Sequence, residues 1–119
     1  MKFVGIVKKN LGRGTKLGFP TANIDAPEGL EEGIFVGLVY GAPALIFVGA
    51  AKTFGETERK AEVYILDFSA DIYGREIEVE TIKKIRDNQK FESEAALVEQ
   101  MKRDEEVARA FFKDYNLDN

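Results

Sequence analysis

The sequence predicts a small, mainly β fold: an antiparallel sheet of five or six strands closed into a barrel, with a helical segment at the C-terminus. Three observations carry this expectation. Between residues 34 and 85 the chain consists of short β-rich runs joined by turn residues, with no helix-length segment between them. Only the stretch after residue 93 has apolar residues at helical spacing. With 119 residues, 45% of them hydrophobic and 11% aromatic, the chain is one domain's worth of sequence and can bury roughly two-thirds of its unfolded surface.

The elements follow in order. Phe3 to Val7 is a short apolar strand containing Gly5 and ending in Lys8 and Lys9. Residues 11–33, LGRGTKLGFPTANIDAPEGLEEG, hold five glycines and two prolines and show neither helical nor strand period. A stretch of this length inside a small domain is usually functional or disordered. Leu17, Phe19 and Ile24 argue for order, so the segment reads as a working loop. Strands then follow at 34–40, 44–50, 62–68 and 75–85. Gly41, Ala42 and Pro43 are short enough for a hairpin link, and Tyr73–Gly74 can turn the chain between the last two strands. Consecutive strands with short links pair antiparallel, and closing the sheet removes its edges. Ser93 is the expected N-cap of a helix carrying Leu97 and Met101 on one face. Asp104 either caps a second helix with Val107, Ala108, Phe111 and Phe112, or lies within one unbroken helix over 94–115. The aromatic pair at its end reads as core packing.

Composition excludes several kinds of chemistry. The chain has no cysteine and no histidine, which removes disulfides, thiolate nucleophiles, Ser/His/Asp triads and imidazole metal ligands. Reaction chemistry must therefore run on carboxylates, hydroxyls, amides, lysines, arginines and backbone dipoles. There is no run of about 18 apolar residues, so a cytoplasmic protein without membrane spans is expected. The net charge is −4 but unevenly spread. Residues 1–20 carry Lys2, Lys8, Lys9, Arg13 and Lys16 and no acid, whereas the remainder carries −9. That distribution suits a small anionic ligand at the N-terminal segment and opposes a general nucleic-acid footprint.

Two places hold candidate chemistry. The first is GRGTKLGFPTAN, residues 12–23. It is neither a Walker A loop nor a dinucleotide fingerprint, since no GK[ST] closes it and the third glycine falls at Gly18. Gly12, Gly14 and Gly18 nevertheless allow backbone N–H groups close to a phosphate, with Arg13 and Lys16 supplying charge. Pro20 favours an extended exit in which Thr21 and Asn23 point the same way, offering the hard oxygen ligands that Mg²⁺ accepts when phosphates supply the rest. The second is Glu62, which shares a strand face with Tyr64 and Leu66 while Val63, Ile65 and Asp67 share the other. A carboxylate there serves either as a general base or as a solvated strand-edge residue.

Taken together, GRGTKLGFPTAN, GIFVG (33–37), AEVYILDF (61–68), DIYGREIEV (71–79), IRDNQKFES (85–93) and Asp104 resemble the riboflavin kinase (flavokinase) family in order and spacing, over residues 3 to 112. The resemblance implies a six-stranded antiparallel Greek-key barrel with a C-terminal helical segment. It also implies transfer of the ATP γ-phosphate to the ribityl 5′-hydroxyl of riboflavin, giving FMN, with Mg²⁺. By the same resemblance Glu62 is the catalytic base. Gly12, Arg13, Gly14, Lys16 and Gly18 form the nucleotide loop, Thr21 and Asn23 contact metal and nucleotide phosphates, and Arg86 and Phe91 belong to a flap over the flavin.

The chain departs from the family pattern in three places, one of them its brevity, with a tight loop between glycine and leucine and a brief strand after Tyr40. Residues 47–54 (Phe47 to Phe54) replace N-I-G-x-x-P-T-F, and Tyr64 stands where histidine is frequent. The expected protein is a single-domain, monomeric kinase of small molecules, without nucleic acid or membrane as partner and without FAD synthesis. The alternatives are a non-catalytic flavin or nucleotide module on the same barrel, and a barrel that stacks single-stranded nucleic acid on Phe3, Phe35, Tyr40 and Phe47.

Overall fold

In a computed structural model, described here for residues 1–8, 21–49, 59–68 and 72–115, six antiparallel strands form a nearly closed barrel flanked by one helix. The strands are β1 (Lys2–Ile6), β2 (Ala22–Asp25), β3 (Gly33–Val39), β4 (Ala42–Gly49), β5 (Lys60–Ile65) and β6 (Glu76–Arg86), and the helix is α1 (Glu94–Asp114). Their order in the sheet is β1-β6-β3-β4-β5-β2. Strands β3, β4 and β5 form a meander and β6 returns beside β3, which is the Greek-key arrangement. The barrel closes where the Lys8 amide donates to the Asn23 carbonyl at 2.7 Å, linking the end of β1 to β2.

Two expectations are corrected. The segment 11–33 is not all loop, because Ala22–Asp25 forms β2. Four residues with one large apolar side chain carry no period of their own; they are a strand because β5 offers them a register, with Ala22 opposite Val63 and Ile24 opposite Ala61. Strands β5 and β6 also do not pair with each other. Strand β6 satisfies its backbone against β3 and β1 instead.

The β3–β4 turn is tighter than expected, with Ala42 and Pro43 already in β4. Tyr40 and Gly41 make it at φ 48° and 81°, the pair of positive angles that matches strand twist in a two-residue hairpin. Gly37 is required by proximity: a Cβ there would lie 2.1 Å from the Glu80 carbonyl oxygen of β6. Strand β6 bulges twice against β3, with Ile82 and Ile85 as the extra residues. Two extra residues preserve parity, so Arg86 stays on the same outer face as Glu78 and Glu80.

Burial follows the strand period. Phe3, Phe35, Ile46, Val48, Val63, Ile65, Ile77 and Val79 point inward and fill the barrel. Strands β3 and β4 are apolar on both faces because α1 covers the outer one. Ile34, Val36 and Leu45 form a second core with Leu66 and Ala108, against which Phe47, Tyr64, Ile85, Phe111 and Phe112 pack. Helix α1 is unbroken, and Ser93 caps it as expected, its hydroxyl accepting from the Ala96 amide at 3.1 Å. Asp104 therefore caps nothing; with Met101 and Ala108 it faces the barrel.

Candidate active site

Register places the candidate residues in one row. Asn23 lies opposite Glu62, Glu62 opposite Phe47, Phe47 opposite Ile34, and Ile34 opposite Arg86. Cross-strand partners project to the same side of a sheet with Cβ atoms about 5 Å apart. Asn23, Glu62 and Arg86 thus share the outer face of the barrel, with Glu62 beside Asn23 and Arg86 three strands away, about 14 Å at the usual strand spacing. Alternation along β5 puts Glu62 and Tyr64 on one face, as the sequence predicts, and the structure turns Val63 and Ile65 into the barrel, which leaves that face outside.

Asn23 is 6% exposed and its Oδ1 has no hydrogen-bond partner among the described residues. A buried amide oxygen left unpaired costs about 1–3 kcal/mol, so the position is explained more readily by a ligand than by packing. The oxygen is a hard neutral donor, and the Glu62 carboxylate stands directly across from it. That amide oxygen fits a divalent cation that draws its remaining ligands from phosphates. Thr21 is half-buried and sits immediately before β2. Gly12, Arg13, Gly14, Lys16 and Gly18 lie outside the described residues, as do residues 50–54 of the departing segment.

On the β6 side, Arg86 grips Asp104 of α1 by two parallel bonds, Nε to Oδ1 at 2.8 Å and Nη2 to Oδ2 at 2.7 Å. Asp104 is 2% exposed and also accepts from Gln100 Nε2 at 3.1 Å. The Arg86 guanidinium lies 5.9 Å from the centre of the Phe91 ring, within cation–π range. The two residues expected in a flavin flap are therefore adjacent, with Arg86 held by a buried carboxylate. Asn88, from the same segment, donates to the Val48 carbonyl at 2.8 Å and ties this loop to the end of β4.

On the β5 side, the Tyr64 hydroxyl donates to Glu105 Oε1 at 2.7 Å. Glu105 Oε2 accepts from Arg109, whose other nitrogens reach both carboxylate oxygens of Asp67 at 3.0 and 3.2 Å. Burial, then the hydrogen bond to Glu105, pushes the Tyr64 phenol up to about 12. It stays a protonated donor at any working pH and is not a rival base to Glu62. Reading the sequence did not find Asp104 or Glu105 as partners. The signal for Asp104 was present in its spacing, three residues after Met101 and four before Ala108 on the apolar stripe.

The flavokinase (riboflavin kinase) family model matches residues 1–112. The chain belongs to the riboflavin kinase family. Among curated relatives, a protein named RNA-binding riboflavin kinase from Bacillus subtilis is 39% identical over 84% of this chain and 46% of its own. Among solved structures, riboflavin kinase from Trypanosoma brucei matches with a TM-score of 0.67 at 25% identity, over 98% of this chain and 82% of that one. A structure described as a macrolide-efflux protein from Streptococcus pneumoniae matches with a TM-score of 0.78 at 35% identity, over 97% of this chain and 39% of that one. The family member described here spans less than half the length of the curated relatives it matches. Among its described residues, no helix is long and apolar enough to cross a membrane.

Proposed function

We propose that this protein is an ATP:riboflavin 5′-phosphotransferase that makes FMN, with Glu62 as general base. The observation that carries this reading is the register pair of Asn23, whose buried oxygen lacks a partner, and Glu62, on the outer face of a riboflavin kinase barrel. Phosphoryl transfer asks chiefly for positioning and charge neutralisation, which suits a chain without histidine or cysteine. Glu62 accepts the proton of the ribityl 5′-hydroxyl as its oxygen attacks the γ-phosphorus and ADP leaves. Asn23 Oδ1 and Thr21 would hold Mg²⁺, which would supply neutralisation of the phosphate charge. Lys16, Arg13 and the amides near Gly12, Gly14 and Gly18 contact the triphosphate, consistent with the acid-free charge of that segment. Arg86 and Phe91 form the wall that receives the flavin.

The protein works as a cytoplasmic monomer on small molecules. Its −4 charge supports a reading without a nucleic-acid partner, although one relative is named RNA-binding. The test is an assay of FMN formation from riboflavin, ATP and Mg²⁺, with Glu62→Gln alongside. Removal of a general base costs about 10²- to 10⁴-fold in kcat, with flavin binding retained. Flavin binding without any FMN formation by the unaltered chain would overturn the reading in favour of a non-catalytic module.

A further inference from the structure

Helix α1 carries two consecutive acids that reach opposite sides of the site. Asp104 bonds Arg86 on β6 and Glu105 bonds Tyr64 on β5, while β3 and β4 lie between those strands. Consecutive helical residues diverge by about 100°, so a helix lying over β3 and β4 sends one acid to each flank. Ala108, fully buried against Ile34, Val36 and Leu45, allows the close approach this requires. The β5 flank is tied a second time through Arg109, which bonds both Glu105 and Asp67. Asp67 sits just past the end of β5 at φ 57°, in the left-handed region that aspartate tolerates better than most residues. The first tie falls on the strand that carries Glu62 and the second just past its end, and Tyr64 is the next residue after Glu62 on the same outer face, about 7 Å along the strand.

We infer that Tyr64 is a positioning residue for phosphoryl transfer, fixing β5, and with it Glu62 two residues earlier, against α1 through Glu105. The inference rests on Glu62 being the base. Tyr64 touches no reacting atom; its hydroxyl sets where the strand and its carboxylate stand relative to the Arg86 wall, whose own anchor is the preceding helical residue. Burial and the Glu105 bond keep the phenol protonated, so the tie holds over the whole working pH range.

The experiment is steady-state kinetics of FMN formation by the full chain carrying Tyr64→Phe, in the unaltered and the Glu62→Gln backgrounds. Tyr64→Phe removes one hydroxyl and leaves the ring packed. Displacing a reacting group by a fraction of an ångström to one ångström costs about ten- to a hundredfold in kcat. That loss is expected with the KM values for riboflavin and ATP little changed, and it disappears when Glu62 is already glutamine. Glu105→Ala, made from the helix side, reproduces the loss and adds nothing to Tyr64→Phe. An equal loss in both backgrounds, a rise in KM with kcat intact, or an unchanged kcat overturns the inference. Unaltered turnover by Glu62→Gln alone fails differently, because it removes the base itself and not its positioning.

Discussion

Replacing Asp104 with alanine leaves the Arg86 guanidinium without its carboxylate in a place that water reaches poorly. The Arg86 side chain is 19% exposed and that of Asp104 3%, and two short parallel bonds join them. Gln100 loses an acceptor in the same step. Breaking a buried pair by removing one partner costs about 3–5 kcal/mol, because the desolvation of the remaining charge is no longer offset. An unfolding entropy of about 2.1 cal/mol/K per residue gives about 0.25 kcal/mol/K for a chain of this length, so Tm falls by about 12–20 °C. Thermal unfolding followed by circular dichroism measures it directly. The double variant Arg86→Met with Asp104→Leu is the control. It removes both charges and keeps the volume, so its stability should return to near that of the unaltered chain or exceed it. A Tm for Asp104→Ala within 3 °C or so of the unaltered chain, where about 1 kcal/mol would register, would refute the reasoning, as would a double variant that is no more stable than the single one.

Three further outcomes are expected. Asn23→Leu removes an unpaired buried oxygen, so the urea midpoint should hold or rise while FMN formation falls by about tenfold or more, the scale of a lost metal contact; a fall in the midpoint without a fall in rate would show Asn23 to be structural. Tyr64 should ionise near 12, about two units above an ordinary phenol, seen as a late step in phenolate absorbance. Its folded pKa is raised, so the stability it contributes is complete below about pH 10 and is lost as pH climbs toward 12; Tyr64→Phe should flatten that alkaline decline in Tm. Gly37→Ala puts a methyl group 2.1 Å from the Glu80 carbonyl and should cost about 1–3 kcal/mol in urea unfolding. Gly41→Ala, with nothing within 4 Å of its Cβ, should cost less although its φ is 81°.

Much of this was legible one residue at a time. The apolar runs at 34–40, 44–50, 62–68 and 75–85 correspond to β3 to β6 with shifted ends, because pleated burial leaves a period of two that survives in sequence. Ser93 could be read as a cap because its hydroxyl acts within three residues. Glu62 could be put on one strand face with Tyr64 from alternation alone, while which face looks outward was left to the packing. Strand β2 was hidden because its only sequence signal is Ile24, and its pairing with β5 comes from a segment some forty residues away. The absence of a β5–β6 pair was hidden for the same reason: nothing local distinguishes a strand that folds back on its predecessor from one that crosses to β3.

The sequence by itself determined which chemistry is available and which face of each strand is apolar, since composition and alternation are local properties of the chain. It also carried the family, through blocks in order from residue 12 onward. Only the tertiary structure decided that Asn23, Glu62 and Arg86 share one row, and that Asp104 holds Arg86 at one end of it while Glu105 holds Tyr64, the next outward residue after Glu62 on β5. Those relations depend on strand order, on the even count of bulges in β6 and on how close a helix can lie over Ala108. They are distances between residues far apart in the chain, and such distances are set by the packing of the whole barrel at once.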